Sequence, residues 1–157
     1  MRKVIVNTTP IIALAEIDRL DLLHKLYGEI TIPNAVFEEI LSEPAKSMVT
    51  ACGWIHVERV QDDSSKVMYK ARLHAGEVEV MILALEKQAD LVIIDDNAAK
   101  KTAKYLGLKV TGTLGVLLKA KKDGIIGTVG PIMSELISNG LFIGDEVKKY
   151  VLKQAGE

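Results

Sequence analysis

Leu91-Val92-Ile93-Ile94-Asp95-Asp96-Asn97-Ala98-Ala99 is the stretch on which the fold turns. A run of large apolar residues meets two adjacent carboxylates, and a helical pattern starts at once. A continuous apolar run between helical segments reads as a parallel strand buried on both faces. The acids then stand at its carboxyl end, where open α/β sheets place their ligands. Taken alone, the pair reads first as a strand end (Asp95) and a helix cap (Asp96). The sharper reading is that two neighbouring negative charges share a divalent cation.

The rest of the chain alternates in the same way. Residues 3–6 form a β-branched strand that ends in Asn7-Thr8-Thr9-Pro10, a helix-starting sequence. Helical patterns follow it, the second running over about 19–27 to Gly28. Glu29–Ile32 reads as a second strand stopped by Pro33, and Asn34–Leu41 as a helix with Val36, Phe37, Ile40 and Leu41 on its apolar side. On that wheel Glu38 and Glu39 flank the stripe equally. Residues 42–53 are irregular, and Trp54–Val57 reads as a third strand with His56 half exposed. Gln61–Ser65 is the most loop-like segment, with Asp62 and Asp63 capping a helix or facing solvent. Ala75–Lys87 is apolar nearly all round and opens with Glu77 and Glu79. Helical residues advance by ~100°, so these two glutamates point to nearly opposite sides and only one enters a site from this helix. After the strand at 91–94 come a helix to about Leu106, a short strand Leu108–Thr111, and helices over Leu114–Lys122, 130–138 and 144–154. This order predicts a single domain over 1–157, an α/β fold with a mainly parallel sheet of about five strands and helices on both faces.

Composition narrows the function classes. At 157 residues with 48% hydrophobic content the chain has ample material for one core. The formal net charge of -1 gives no global signal for nucleic acid. The single cysteine, Cys52, excludes an internal disulfide or a cysteine metal cluster. No segment has the apolar length of a signal peptide or membrane helix, so a soluble cytoplasmic protein without membrane contact is expected.

The polar residues at strand ends and helix starts are Asn7, Thr9, Glu38 or Glu39, Glu77 or Glu79, Asp95, Asp96 and Thr111–Thr113. Histidine and cysteine are missing from this set, and no serine has a partnered base, which argues against a nucleophilic triad. No Gly-rich phosphate loop follows the first strand. An oxygen-only, carboxylate-rich set suits Mg²⁺ or Mn²⁺, ions that activate water and clamp phosphate oxygens.

In five segments the chain resembles the PIN domain, and in particular a small prokaryotic PIN-like subfamily. They are Val4–Pro10, Ile32–Ile40, Gly76–Ala84, Ile94-Asp95-Asp96 and Gly112–Leu118, in that order. The resemblance implies a three-layer fold and a metal-dependent ribonuclease, often the toxin of a toxin–antitoxin pair. It carries the family's acid quartet onto Asn7, Glu39, the Glu77–Glu79 turn and Asp96. Glu77 is the expected third acid, Glu79 its alternative, Asp95 an auxiliary ligand, and Thr9, Thr111 and Thr113 supporting residues. It also implies single-stranded RNA as substrate, an antitoxin protein as partner, and a homodimer, for which the apolar residues of the last two helices are available.

The first family acid is usually aspartate; here it is Asn7. An amide oxygen coordinates a hard cation but brings no charge, and the amide also donates hydrogen bonds. A catalytically weakened RNA- or protein-binding module is therefore the rival to a nuclease. A dehalogenase-like phosphatase needs an aspartate nucleophile at that position, which Asn7 argues against. Lys100, Lys101 and Lys104, with Lys119, Lys121 and Lys122, form two basic clusters that would neutralise RNA phosphates. A solvated helix face is the plainer account of them.

Overall fold

The computed structural model describes residues 2–61 and 73–157. Within them five strands form one parallel sheet in the order β3-β2-β1-β4-β5. The strands are β1 (Val4–Val6), β2 (Ile30–Pro33), β3 (Ile55–Glu58), β4 (Leu91–Ile93) and β5 (Val110–Thr111). The described helices are α1 (Thr8–Glu16), α2 (Asp21–Tyr27), α3 (Asn34–Glu39), α4 (Ala45–Ala51), α5 (Ala75–Glu86), α6 (Asn97–Tyr105), α7 (Thr113–Lys122), α8 (Gly130–Ser138) and α9 (Asp145–Gln154).

Successive strand residues point to opposite faces. Every residue of β1 and β2 is nonetheless buried, so both faces of the sheet centre are covered. That is the physical meaning of the unbroken apolar runs read from the sequence. β1 is central, with β2 on one side and β4 on the other. The chain travels outward through β2 and β3, then returns to build β4 and β5 beyond β1. The reversal makes the gap between the carboxyl ends of β1 and β4 the switch point of the sheet.

α5 packs on β1 and β2 and carries α3 against it. Its residues from Gly76 to Ala84 are all buried, as its continuous apolar pattern requires. The segment 42–53, irregular in sequence, contains α4. Its inward face is only Ala45 and Val49, too little to register as a period. α3 ends at Glu39 rather than Leu41; Ile40 is buried beyond its end while Leu41 is exposed. His56 is an exposed strand residue beside Glu29, at 3.0 Å. Asp62, Asp63, Ser64 and Ser65 lie outside the described residues. Of the apolar residues near the C-terminus, Ile132, Met133 and Leu136 join the core, whereas Phe142 is 92% exposed. No described helix is long and apolar enough to cross a membrane.

Glu157 clasps the start of α8. Its carboxylate accepts the N–H groups of Val129 at 2.7 Å and Gly130 at 2.9 Å, and pairs with Lys121 at 2.9 Å. The two backbone N–H groups and Lys121 pull its pKa from 4.5 down to about 2. A depressed carboxyl pKa stabilises the fold above the unfolded value and stops doing so as pH falls through the folded one. Glu157→Gln is therefore expected to lower Tm at pH 7, with the difference fading between pH 4.5 and about 2. Thermal melts of both proteins across that range check it.

Candidate metal centre

Parallel pairing sets Val6 beside Ile93, and the Asn7 N–H continues the ladder onto the Ile93 carbonyl at 2.9 Å. One further step in each strand brings Asn7 level with Ile94, with Asp95 and Asp96 just beyond. Asn7 stands at the N-cap of α1 in an extended conformation, but its side chain does not cap that helix. The residue is 5% exposed, and its Oδ1 is buried with no hydrogen-bond partner. The adjacent Thr8 hydroxyl is in the same state. Buried acceptors are normally satisfied, so two orphans side by side at the sheet's switch point require an explanation.

Glu39, at the end of α3, lies against the first turn of α5. A Cβ on Gly76 would sit 2.0 Å from Glu39 Oε1, so only glycine lets the carboxylate rest there. Burial pushes the Glu39 pKa up. The Gly76 N–H and the nearby His74 pull it back, the Glu77 charge pushes it up again, and the Thr8 hydroxyl lowers it slightly without making a hydrogen bond of normal geometry. The net shift is upward. Glu77 itself is 6% exposed, and its Oε1 accepts the His74 N–H at 3.0 Å, closing the N-terminus of α5. Glu39 thus lies within electrostatic reach of Glu77 at the α3–α5 contact, and Thr8 acts on Glu39.

The helical geometry separates the other acids. Glu79 Oε1 accepts the Ala35 N–H at 2.9 Å, so this buried carboxylate serves the start of α3, at the opposite end of that helix from Glu39. Glu38 is exposed and takes the Asn34 amide at 3.0 Å. Asp96 caps α6, its Oδ2 accepting the Ala99 N–H at 2.9 Å. Asp95 turns to α7, where its two oxygens accept the N–H and the hydroxyl of Thr113, each at 2.7 Å. Thr113 is fully buried. Thr111 rests its hydroxyl on α7 where Gly115 leaves room; a Cβ there would lie 2.0 Å from Thr111 Oγ1.

Thr9 is exposed and lines a separate cleft with Ile12, Leu136 and Leu141, while its neighbour Thr8 acts on Glu39. His74 and Gly76 were absent from the sequence-derived set. A capping-box spacing, His74 to Glu77, and a glycine in a first helical turn were their only signals. The two lysine clusters also part company. Lys119 pairs with Asp123 and Lys121 with Glu157, whereas Lys100, Lys101 and Lys104 have no ion pair among the described residues.

The donor chemistry fits a hard divalent cation: a carboxyl whose pKa is raised by burial and, less, by the charge of a second acid, and amide and hydroxyl oxygens left without partners among the described residues. Among the described residues no three His, Cys, Asp or Glu side chains already converge as a metal-holding group. A cation here would draw on the neutral oxygens as well as the acids.

A family model described as a PIN domain matches residues 3–157. The chain belongs to the PIN-domain family. No curated protein matches it. Membership accounts for the parallel sheet with helices on both faces. In this PIN domain the strand-one position is occupied by Asn7.

Two variants probe the Glu39 environment. Gly76→Ala pushes the flexible Glu39 side chain off its seat while favouring the helix by up to ~1 kcal/mol. Tm is expected to hold or rise, while Mn²⁺ affinity by calorimetry falls about 10- to 100-fold. For Glu39→Gln the sign follows from the raised pKa. An ionised carboxylate that prefers to be protonated in the folded state opposes folding above its folded pKa. Melts should show Glu39→Gln more stable than wild type at pH 7 without metal, the advantage vanishing as pH falls toward 4.5. Added Mn²⁺ should reverse the order.

Proposed function

We propose that this PIN domain is a metal-dependent endoribonuclease that hydrolyses single-stranded RNA using Mg²⁺ or Mn²⁺. The observation that carries the proposal is the pair of buried oxygens without a hydrogen-bond partner among the described residues, Asn7 Oδ1 and Thr8 Oγ1, at the switch point of the sheet, with Glu39 in electrostatic reach of Thr8. Glu39, Glu77 and Asp96 would hold the cation, with Asn7 and Asp95 assisting. A divalent ion supplies positive charge that acidifies water and neutralises a phosphate oxygen. Glu39, whose pKa is raised, is the best-placed acceptor for the proton of the attacking water. Glu77 keeps the first turn of α5 closed by holding the His74 N–H, which fixes the Gly76 seat beneath Glu39. Lys100, Lys101 and Lys104, on the helix that starts at Asp96, offer unpaired cations to the RNA backbone. A cytoplasmic location and the toxin half of a toxin–antitoxin pair go with this proposal. A small antitoxin-like gene immediately upstream is the observation that checks the toxin role.

A second reading is favoured by Asn7 and by the lack of a ready-made three-residue group among the described residues. In it the domain binds RNA or a protein without turnover.

Asp96→Asn separates charge from capping, because asparagine caps a helix as well as aspartate does. Calorimetry with Mn²⁺ should give binding by wild type and a loss of tenfold or more in Asp96→Asn, with Tm nearly unchanged. Asp96→Ala should in addition lower stability by about 0.5–2 kcal/mol. Asn7→Asp should tighten Mn²⁺ and raise RNA cleavage. No heat with millimolar Mn²⁺ in either wild type or Asn7→Asp would sink the nuclease proposal. Cleavage only after Asn7→Asp would select the second reading.

A further inference from the structure

Beside the proposed metal centre lies a cleft of about 270 Å³ between the start of α6, the β5–α7 turn and the segment leading into α9. Its lining is part polar and part apolar. Asp95, Asn97 and Lys100 supply polar lining, and five apolar side chains, Phe142 and Val147 among them, supply the rest. Gly112 makes the polar part possible. A Cβ there would lie 2.7 Å from Asp95 Oδ1 and 2.9 Å from Lys100 Nζ, so the acid and the amine reach the same spot only over a glycine. Lys100 is half buried yet has no ion pair among the described residues. Phe142 borders this cleft while remaining 92% exposed, although a phenylalanine gains nothing from standing in water.

We infer that the cleft is a base-binding subsite, in which Phe142 stacks an unpaired RNA base and Lys100 holds the phosphate that follows it toward the acids. The inference rests on the ribonuclease reading and adds how the strand is presented to it. Single-stranded RNA is recognised by bases splayed onto aromatic faces, with cations tracking the backbone. Both elements are present here within one cleft. Asn97, at the first position of α6, offers an amide donor and acceptor to a base edge. Lys101 and Lys104 continue the positive charge along the same helix. The amide and the cation beside an exposed ring favour a nucleotide, whose base edge and phosphate need polar partners.

The test uses the full chain and a fluorescent single-stranded oligoribonucleotide, with binding read by anisotropy in Ca²⁺ and cleavage read separately in Mn²⁺. Phe142→Ala is expected to weaken binding about five- to a hundredfold at every salt concentration. Phe142→Tyr should retain it, and a single abasic substitution in the RNA should reproduce the loss. Lys100→Ala should instead flatten the salt dependence of binding by about 0.7 in log–log slope, the signature of one phosphate contact. Because Phe142 is exposed, Phe142→Ala should melt like wild type, so lost binding will not reflect lost folding. Unchanged RNA affinity in Phe142→Ala, with wild type still cleaving, overturns the subsite and leaves the ribonuclease reading standing. If wild type neither binds nor cleaves RNA, both fall. If Phe142→Ala abolishes self-association in sedimentation while RNA affinity is untouched, the ring belongs to a protein interface and the subsite is overturned.

Discussion

A helix begins with four backbone N–H groups that its own carbonyls cannot reach. In this protein carboxylates meet that need at the starts of α3, α4, α5, α6, α7 and α8 among the described residues. Glu79 serves α3, Glu77 serves α5, Asp96 serves α6 and Asp95 serves α7. Three of these helices directly follow strands, so the same geometry that brings the acids to the sheet's carboxyl edge also directs helix dipoles at them. The fold holds its acids in place by giving each a backbone donor. A mutation that removes the whole side chain therefore disturbs the helix start and the charge together, and only the amide replacements separate the two effects.

This double employment explains how negative charge can accumulate here without unfolding the domain. The N–H groups stabilise ionised oxygens, while each carboxylate has further lone pairs for another partner. Glu39 is the exception. It sits at the end of a helix rather than the beginning, resting on Gly76 against the charge of Glu77. Burial and that neighbouring charge raise its pKa, and it is the acid with most to gain from a cation. Asn7 fits the same electrostatic picture. A further carboxylate at the end of β1 would add repulsion to a crowded edge, whereas the amide adds an oxygen without charge.

The strand-and-helix alternation, the buried parallel sheet and the location of the acids at strand ends were legible because they follow from local pattern. Apolar runs marked β1, β2 and β4, and the polar residues after them had to emerge at the sheet edge. α4 was not legible, since a helix that buries only Ala45 and Val49 leaves no apolar period to read. Thr8 was overlooked in favour of Thr9 for a related reason. Adjacent residues in a first helical turn differ by ~100° in direction, and nothing local says which direction holds the site.

The sequence by itself determined that Glu77 and Glu79 point apart, that Asp96 starts a helix, and that Asn7 ends a strand, because backbone periodicity and capping chemistry are local properties. The tertiary structure decided what each side chain meets. α3 packs across α5, and that crossing rests the partly desolvated Glu39 carboxylate on Gly76, turns Glu38 to the Asn34 amide, and sends Glu79 to the Ala35 N–H. A helix fixes the angles between its own side chains; only the packing of a distant segment fixes which of those angles faces a partner.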